Sequence, residues 1–145
     1  MIVKLHHLWQ LYQVLGKHPG AIPVAAKLAT LELPAKERHA LRKFLKQAEE
    51  EANIAEAERV RLLQKHGVEG PPGTWNVNLL AESGQQFLAE WIPYADTDID
   101  VPCLKFQSAD LDSLSLSLNE ENALGFLIED DPGKRGDCGC QEAQA

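Results

Sequence analysis

Long hydrophobic runs are missing from this chain. No stretch approaches the ~18 to 20 apolar residues that a membrane-spanning helix needs, so a span of that kind is excluded. The opening segment, "MIVKLHHLWQLYQVLGKHPG", is interrupted by Lys4, His6, His7 and Gln10 and has no small-residue cleavage site, so it reads as a helix rather than an export signal. A cytoplasmic protein is the expectation. Cysteine is scarce, with Cys103, Cys138 and Cys140 the whole complement. A zinc finger takes two separated pairs of Cys or His. A single Cys-x-Cys at 138–140 therefore reads as a reduced dithiol, and Cys103, among apolar neighbours, as a small core residue. Glycine-rich phosphate cradles and the G-x-S-x-G nucleophile elbow are both absent. Basic charge is scarce in the second half. Residues 1–66 carry 11 Lys and Arg against 7 Asp and Glu, a net of +4, whereas residues 67–145 carry 3 against 15, a net of −12, for −8 in all. A nucleic-acid binder shows a basic stripe, so binding of nucleic acid is not expected, although a local basic helix face remains open.

What is present describes an ordinary globular chain. Its 145 residues, 44% hydrophobic and 25% charged, are enough for one domain with a real core. Leu5, Leu8, Trp9, Tyr12 and Leu15 recur at helical spacing, which predicts a first helix over Val3–Gly16, stopped by Gly16 and "HPG" at 18–20. A short helix is expected at 23–30. The longest element follows, opened by Pro34 and closed by Gly67, the usual order of proline inside the start and glycine past the end. Leu41, Leu45, Ala48, Ala52, Ala55 and Leu62 form its stripe, with Phe44 beside it. Its alanines invite close approach by another helix. Arg42, Lys43 and Lys46 stand near Glu49, Glu50 and Glu51, so i,i+3 and i,i+4 ion pairs are available. At ~1.5 Å per residue this helix reaches about 45 Å, long enough to project or to pair with its own copy.

"GVEGPPGTW" at 67–75 is the strongest punctuation in the chain. Beyond it, "TWNVNLL" begins a short strand, "SGQQFLAEWI" a short helix with Ser83 and Gln86 in capping-box spacing, "TDIDVPCLKF" a strand, and "SLNEENALGFLIED" a helix with Ser117 and Glu120 spaced likewise. The fold class is α+β, mainly α. It comprises an N-terminal helical hairpin with one long helix (1–67), a small lobe of short strands and two short helices (68–131), and a flexible tail (132–145), expected to behave as one cooperative domain.

"DTDIDVP" is the stretch that most resembles chemistry. A calcium loop starting at Asp96 requires glycine at its sixth place and glutamate at its twelfth; those positions hold Val101 and Gln107. Alternation accounts for the segment better. Thr97, Ile99, Val101 and Cys103 share one strand face, and Asp96, Asp98 and Asp100 share the other, a charged edge that discourages pairing. The isolated histidines make no chelate. Trp75, beside the Gly/Pro loop, is either an interface anchor or a plug at the junction between hairpin and lobe, and the usual burial of tryptophan favours the plug.

The order of "LYQVLGK", "PVAAKLA", a charged long helix ending "LLQKHG", then "FLAEWIPYADTDIDVPCLKFQSADL" and "LSLNEENALGFLIE" resembles a family of short tailed-phage and prophage proteins known only as a domain of unknown function. The resemblance spans residues 5–128. It implies a phage-encoded protein and carries no catalytic residue; the "GPPG" loop and the tail with Cys138 and Cys140 depart from the family pattern.

The reading is a non-enzymatic accessory protein that binds a host or phage protein, with neither cofactor nor metal. Its candidate surface is Arg38, Arg42, Lys43 and Lys46 on the helix and Asp96, Asp98 and Asp100 on the strand, with Trp75 as a possible anchor. Two other classes remain open. One is a virion or tail-assembly component that oligomerises through the long helix; the other is a metal-binding regulator or metal-dependent enzyme using Asp or Cys.

Overall fold

The computed structural model describes residues 1–14 and 20–129. Strand β1 (Ile2–Lys4) leads directly into helix α1 (Leu5–Leu11); α2 (Val24–Leu28) and the 32-residue α3 (Ala35–His66) follow. A two-residue hairpin, β2 (Val68–Glu69) with β3 (Trp75–Asn76), precedes α4 (Glu82–Ala95) and β4 (Asp98–Asp100). A 3-10 helix (Ser108–Leu114), α5 (Leu118–Leu124) and a last 3-10 turn (Gly125–Leu127) close the described chain. The fold is α+β and mainly α, organised on one long helix. No described helix is long and apolar enough to cross a membrane.

Helix α3 takes its bounds from local chemistry. Pro34 cannot continue a helix backwards and sits as its N-cap. Gly67 ends it because a Cβ there would lie 2.5 Å from the Asn76 carbonyl oxygen, where β3 folds back over the helix end. The helix is unbroken, about 48 Å long at ~1.5 Å per residue. Its buried face is Leu41, Phe44, Ala48, Ala52, Ala55 and Leu62. Phe44 lies fully inside and Leu45 packs only at the margin. Trp9 reaches Glu56 and Tyr12 reaches the Leu45 carbonyl, so α1 runs antiparallel to α3 and its approach uses the alanines.

The expected first helix is corrected at both ends. Val3 and Lys4 are strand, paired with Ile99 and Asp98 of β4 in an antiparallel ladder. The ladder partner lies some 95 positions away, beyond any local periodicity. The helix then ends at Leu11, with Tyr12 anchored by its hydroxyl to α3. Helix α4 is longer than expected, passing through Pro93 in its last turns. Its predicted capping box does not form. Ala81 is the N-cap without a side-chain bond, and Gln85 donates to the Leu79 carbonyl instead. The second box does form, Ser117 Oγ accepting from Glu120 N–H while the Glu120 carboxylate accepts from Ser117 N–H. The expected strand "TDIDVPCLKF" is cut to three residues at Pro102; Phe106 makes a separate parallel bridge with Ile128.

One core joins the two halves of the chain. Leu8, Leu11, Val24, Leu28 and Phe44 pack with Val101, Leu104, Phe106, Leu111, Leu124 and Leu127. Buried Glu120 and Lys27, 2.8 Å apart, pin α5 to α2. Burial pushes the Glu120 carboxyl up, but the hydrogen bonds from Lys27 and from Ser117 outweigh it and leave its pKa below the usual value. Cys103 is half-buried and disulfide-bonded rather than the small core residue expected. Cys138, Cys140 and the expected tail lie outside the described residues.

Candidate functional site

The exposed side of α3 places its charges in two ways. At about 100° per residue, Arg38, His39, Arg42, Lys43 and Lys46 fall within an arc of roughly 140° opposite the buried stripe, with Lys36 just beyond it. All six are exposed. Among the described residues none of these six side chains is ion-paired. The pairs expected from Arg42, Lys43 and Lys46 to Glu49, Glu50 and Glu51 do not form. The reason lies in direction. Intrahelical pairs are favoured when the acid precedes the base, and here the bases precede. Cations in the first turns also oppose the positive end of the helix dipole, and Glu37 is the only acid in the first turn.

The second half of α3 has the favoured order and uses it. Glu56 binds Arg59 through two hydrogen bonds, of 2.6 and 2.9 Å, and Glu58 grips Arg61 likewise. The Arg59 guanidinium also lies 5.8 Å from the Trp9 ring centroid, and the Trp9 indole donates to Glu56 at 2.7 Å. Trp9 meets Trp91 of α4 edge to face. Lys65 and His66 both hold Glu90 of α4. The Arg59 hydrogen bond is the main influence holding the Glu56 carboxyl below its usual pKa, against its partial burial; His66 and then Lys65 do the same for Glu90. These partners lie 24 and 25 positions from Glu90, so no local signal in the sequence joins them.

Asp98 and Asp100 lie on the outer face of β4, as the alternation predicted, whereas Asp96 is the C-cap of α4 and precedes the strand. Asp96, Asp98 and Asp100 are exposed, while Ile99 is half-buried and Val101 buried. They are not free charges. Lys4 of β1 lies 2.6 Å from Asp98 and 3.7 Å from Asp96, and the Met1 amine lies 3.4 Å from Asp100. The hydrogen bond to Asp98 is the main cause of a raised Lys4 pKa. Most of the acidic ladder is thus neutralised from across its own sheet. Gln47, one turn beyond Lys43, donates to the Asp100 carbonyl at 2.7 Å, so strand and basic arc meet near the middle of α3. Trp75 is half-buried, on the hairpin that folds back against the end of α3 and well away from the basic arc along the helix.

Sequence reasoning identified four cations of the arc and missed Lys36 and His39, which the helical periodicity would have included. Among the described residues no three His, Cys, Asp or Glu side chains converge as a metal site. No family model, curated protein or solved structure matches the chain.

Proposed function

We propose that this is a non-catalytic accessory protein that docks an acidic surface of another protein against the first half of α3. The observation that carries this reading is the exposed arc of Arg38, Arg42, Lys43 and Lys46, left without ion pairs among the described residues, with Arg38 in the first turn set against the helix dipole. Local rules broken without local compensation are expected where a surface serves a partner. A net charge of −12 on residues 67–145 disfavours a nucleic-acid polyanion as that partner. The resemblance of residues 5–128 to short tailed-phage proteins supports a phage setting, with a host or phage protein as the target.

The test is affinity capture from phage-infected cells with wild-type protein and with the Arg42→Glu/Lys46→Glu variant, at low and raised salt. The expected result is an acidic partner held by the wild type, released by salt and lost in the variant. The same partners on both proteins would end the reading. Abundance in purified particles would instead assign a structural role in the virion.

A further inference from the structure

A second feature is independent of the basic arc. Where the β1–β4 ladder, the first turns of α1, Lys105 and Phe126 meet, the surface opens into a cavity of about 620 Å³. Cavities that hold small molecules run from roughly 300 to 1,000 Å³, with apolar walls and a few convergent polar groups. Met1, Ile2, Val3 and Phe126 supply the apolar wall.

The polar groups at its lining are unequally satisfied. Asp98 is matched by Lys4 at 2.6 Å and Asp100 by the Met1 amine at 3.4 Å, so these charges cancel within the rim. Lys105 has no such match. Its ammonium donates at 2.9 Å to the main-chain carbonyl of Phe126, and no carboxylate lies within ion-pair distance among the described residues. His7 is stacked on the Phe126 ring, centroids 4.9 Å apart and planes 8° from parallel. Its Nδ1 is buried and has no hydrogen-bond partner. A nitrogen without accessible surface is closed to the cavity, so the ring contributes there through its stack with Phe126. Burial first, then His6 and Lys4, lowers the His7 pKa, so near neutral pH the ring adds no charge.

We propose that this cavity binds a small carboxylate with an apolar body. The carboxylate sits against the Lys105 ammonium, and the apolar body lies along Ile2 and the ring of Phe126. A cation gains nothing there, because the aspartates are already engaged. A neutral alcohol gains the apolar wall and a bond from the ammonium, but not the attraction between opposite charges.

The probe is octanoate, titrated by calorimetry and NMR into protein tagged at its C-terminus, beside 1-octanol, octylammonium and acetate. Expected is one-to-one octanoate binding with Kd below about 1 mM, at least tenfold weaker binding of octanol and acetate, and none of octylammonium. Lys105→Met should weaken octanoate at least tenfold, whereas His7→Phe, which keeps an aromatic ring beside Phe126, should bind it as wild type does. Lys105→Gln, which retains a donor for the Phe126 carbonyl while removing the charge, should match Lys105→Met and guards against a loss of fold. Absence of saturable octanoate binding, octanol binding as tightly as octanoate, or full affinity in a folded Lys105→Gln protein each overturns the proposal.

Discussion

The two halves of α3 give their cations opposite fates. In the second half, Arg59, Arg61 and Lys65 are all ion-paired, and Arg59 also lies near the Trp9 ring. In the first half, Arg38, Arg42, Lys43 and Lys46 face solvent alone. The first half has more Lys and Arg than Glu, but the order of acid and base along the chain also separates the halves, together with what packs alongside. Helices α1 and α4 flank the second half and bring Trp9, Trp91 and Glu90 to it. The lesson is that charge count alone says little about a helix face, whereas sequence direction relative to the helix dipole says whether the charges are spent at home.

The contrast can be broken most sharply by reversing the free half. Arg42→Glu/Lys46→Glu should cut association with an acidic partner at least tenfold, about 1.4 kcal/mol, while circular dichroism and the melting midpoint stay near wild type. In the paired half the same kind of change should act on the fold instead. Arg59→Met removes the grip on Glu56 and the contact with Trp9, and should cost about 1 kcal/mol in urea denaturation, a figure already reduced for partial exposure.

Acid should also separate the halves. The Glu56 and Glu90 carboxyls titrate below the ordinary value of 4.5 in the folded state. Groups with depressed folded pKa values contribute stability that is complete above the unfolded value and is lost as pH falls through the folded one. The melting midpoint should therefore drop below about pH 4.5, and drop less steeply in Glu56→Gln, as read by scanning calorimetry from pH 7 to 3. The smallest effect sharpens the directional argument. Exchanging Lys46 and Glu50, as Lys46→Glu/Glu50→Lys, puts acid before base at unchanged composition and should stabilise α3 by roughly 0.3 kcal/mol. No gain in urea midpoint would show that order is not what leaves the arc unpaired.

Legibility followed the range of the interactions. Pro34 and Gly67 act on their immediate neighbours, and α3 was readable almost to the residue. Ser117 and Glu120 close a capping box within one turn, and theirs formed. Ser83 and Gln86 carry the same spacing, yet α4 starts a residue earlier, where the Asn78–Leu79 turn packs over Gly84. Strand β1 was read as helix because its partner Ile99 is remote, and the neutralisation of Asp98 by Lys4 was hidden for the same reason. The alternation of Asp96, Asp98 and Asp100 was visible; their cross-strand partners were not.

The β1–β4 ladder also orders events in time. The α1–α3 hairpin closes through contacts a few tens of residues apart, as Tyr12 with Leu45, but Val3 with Ile99 closes a far longer loop. Loop closure and long-range pairing set the pace of folding. During synthesis β1 emerges well before β4 and finds its partner only after residue 100 has left the ribosome. Until then its backbone is an unpaired edge. A chain arrested before Asp98 would present that edge to whatever strand it meets.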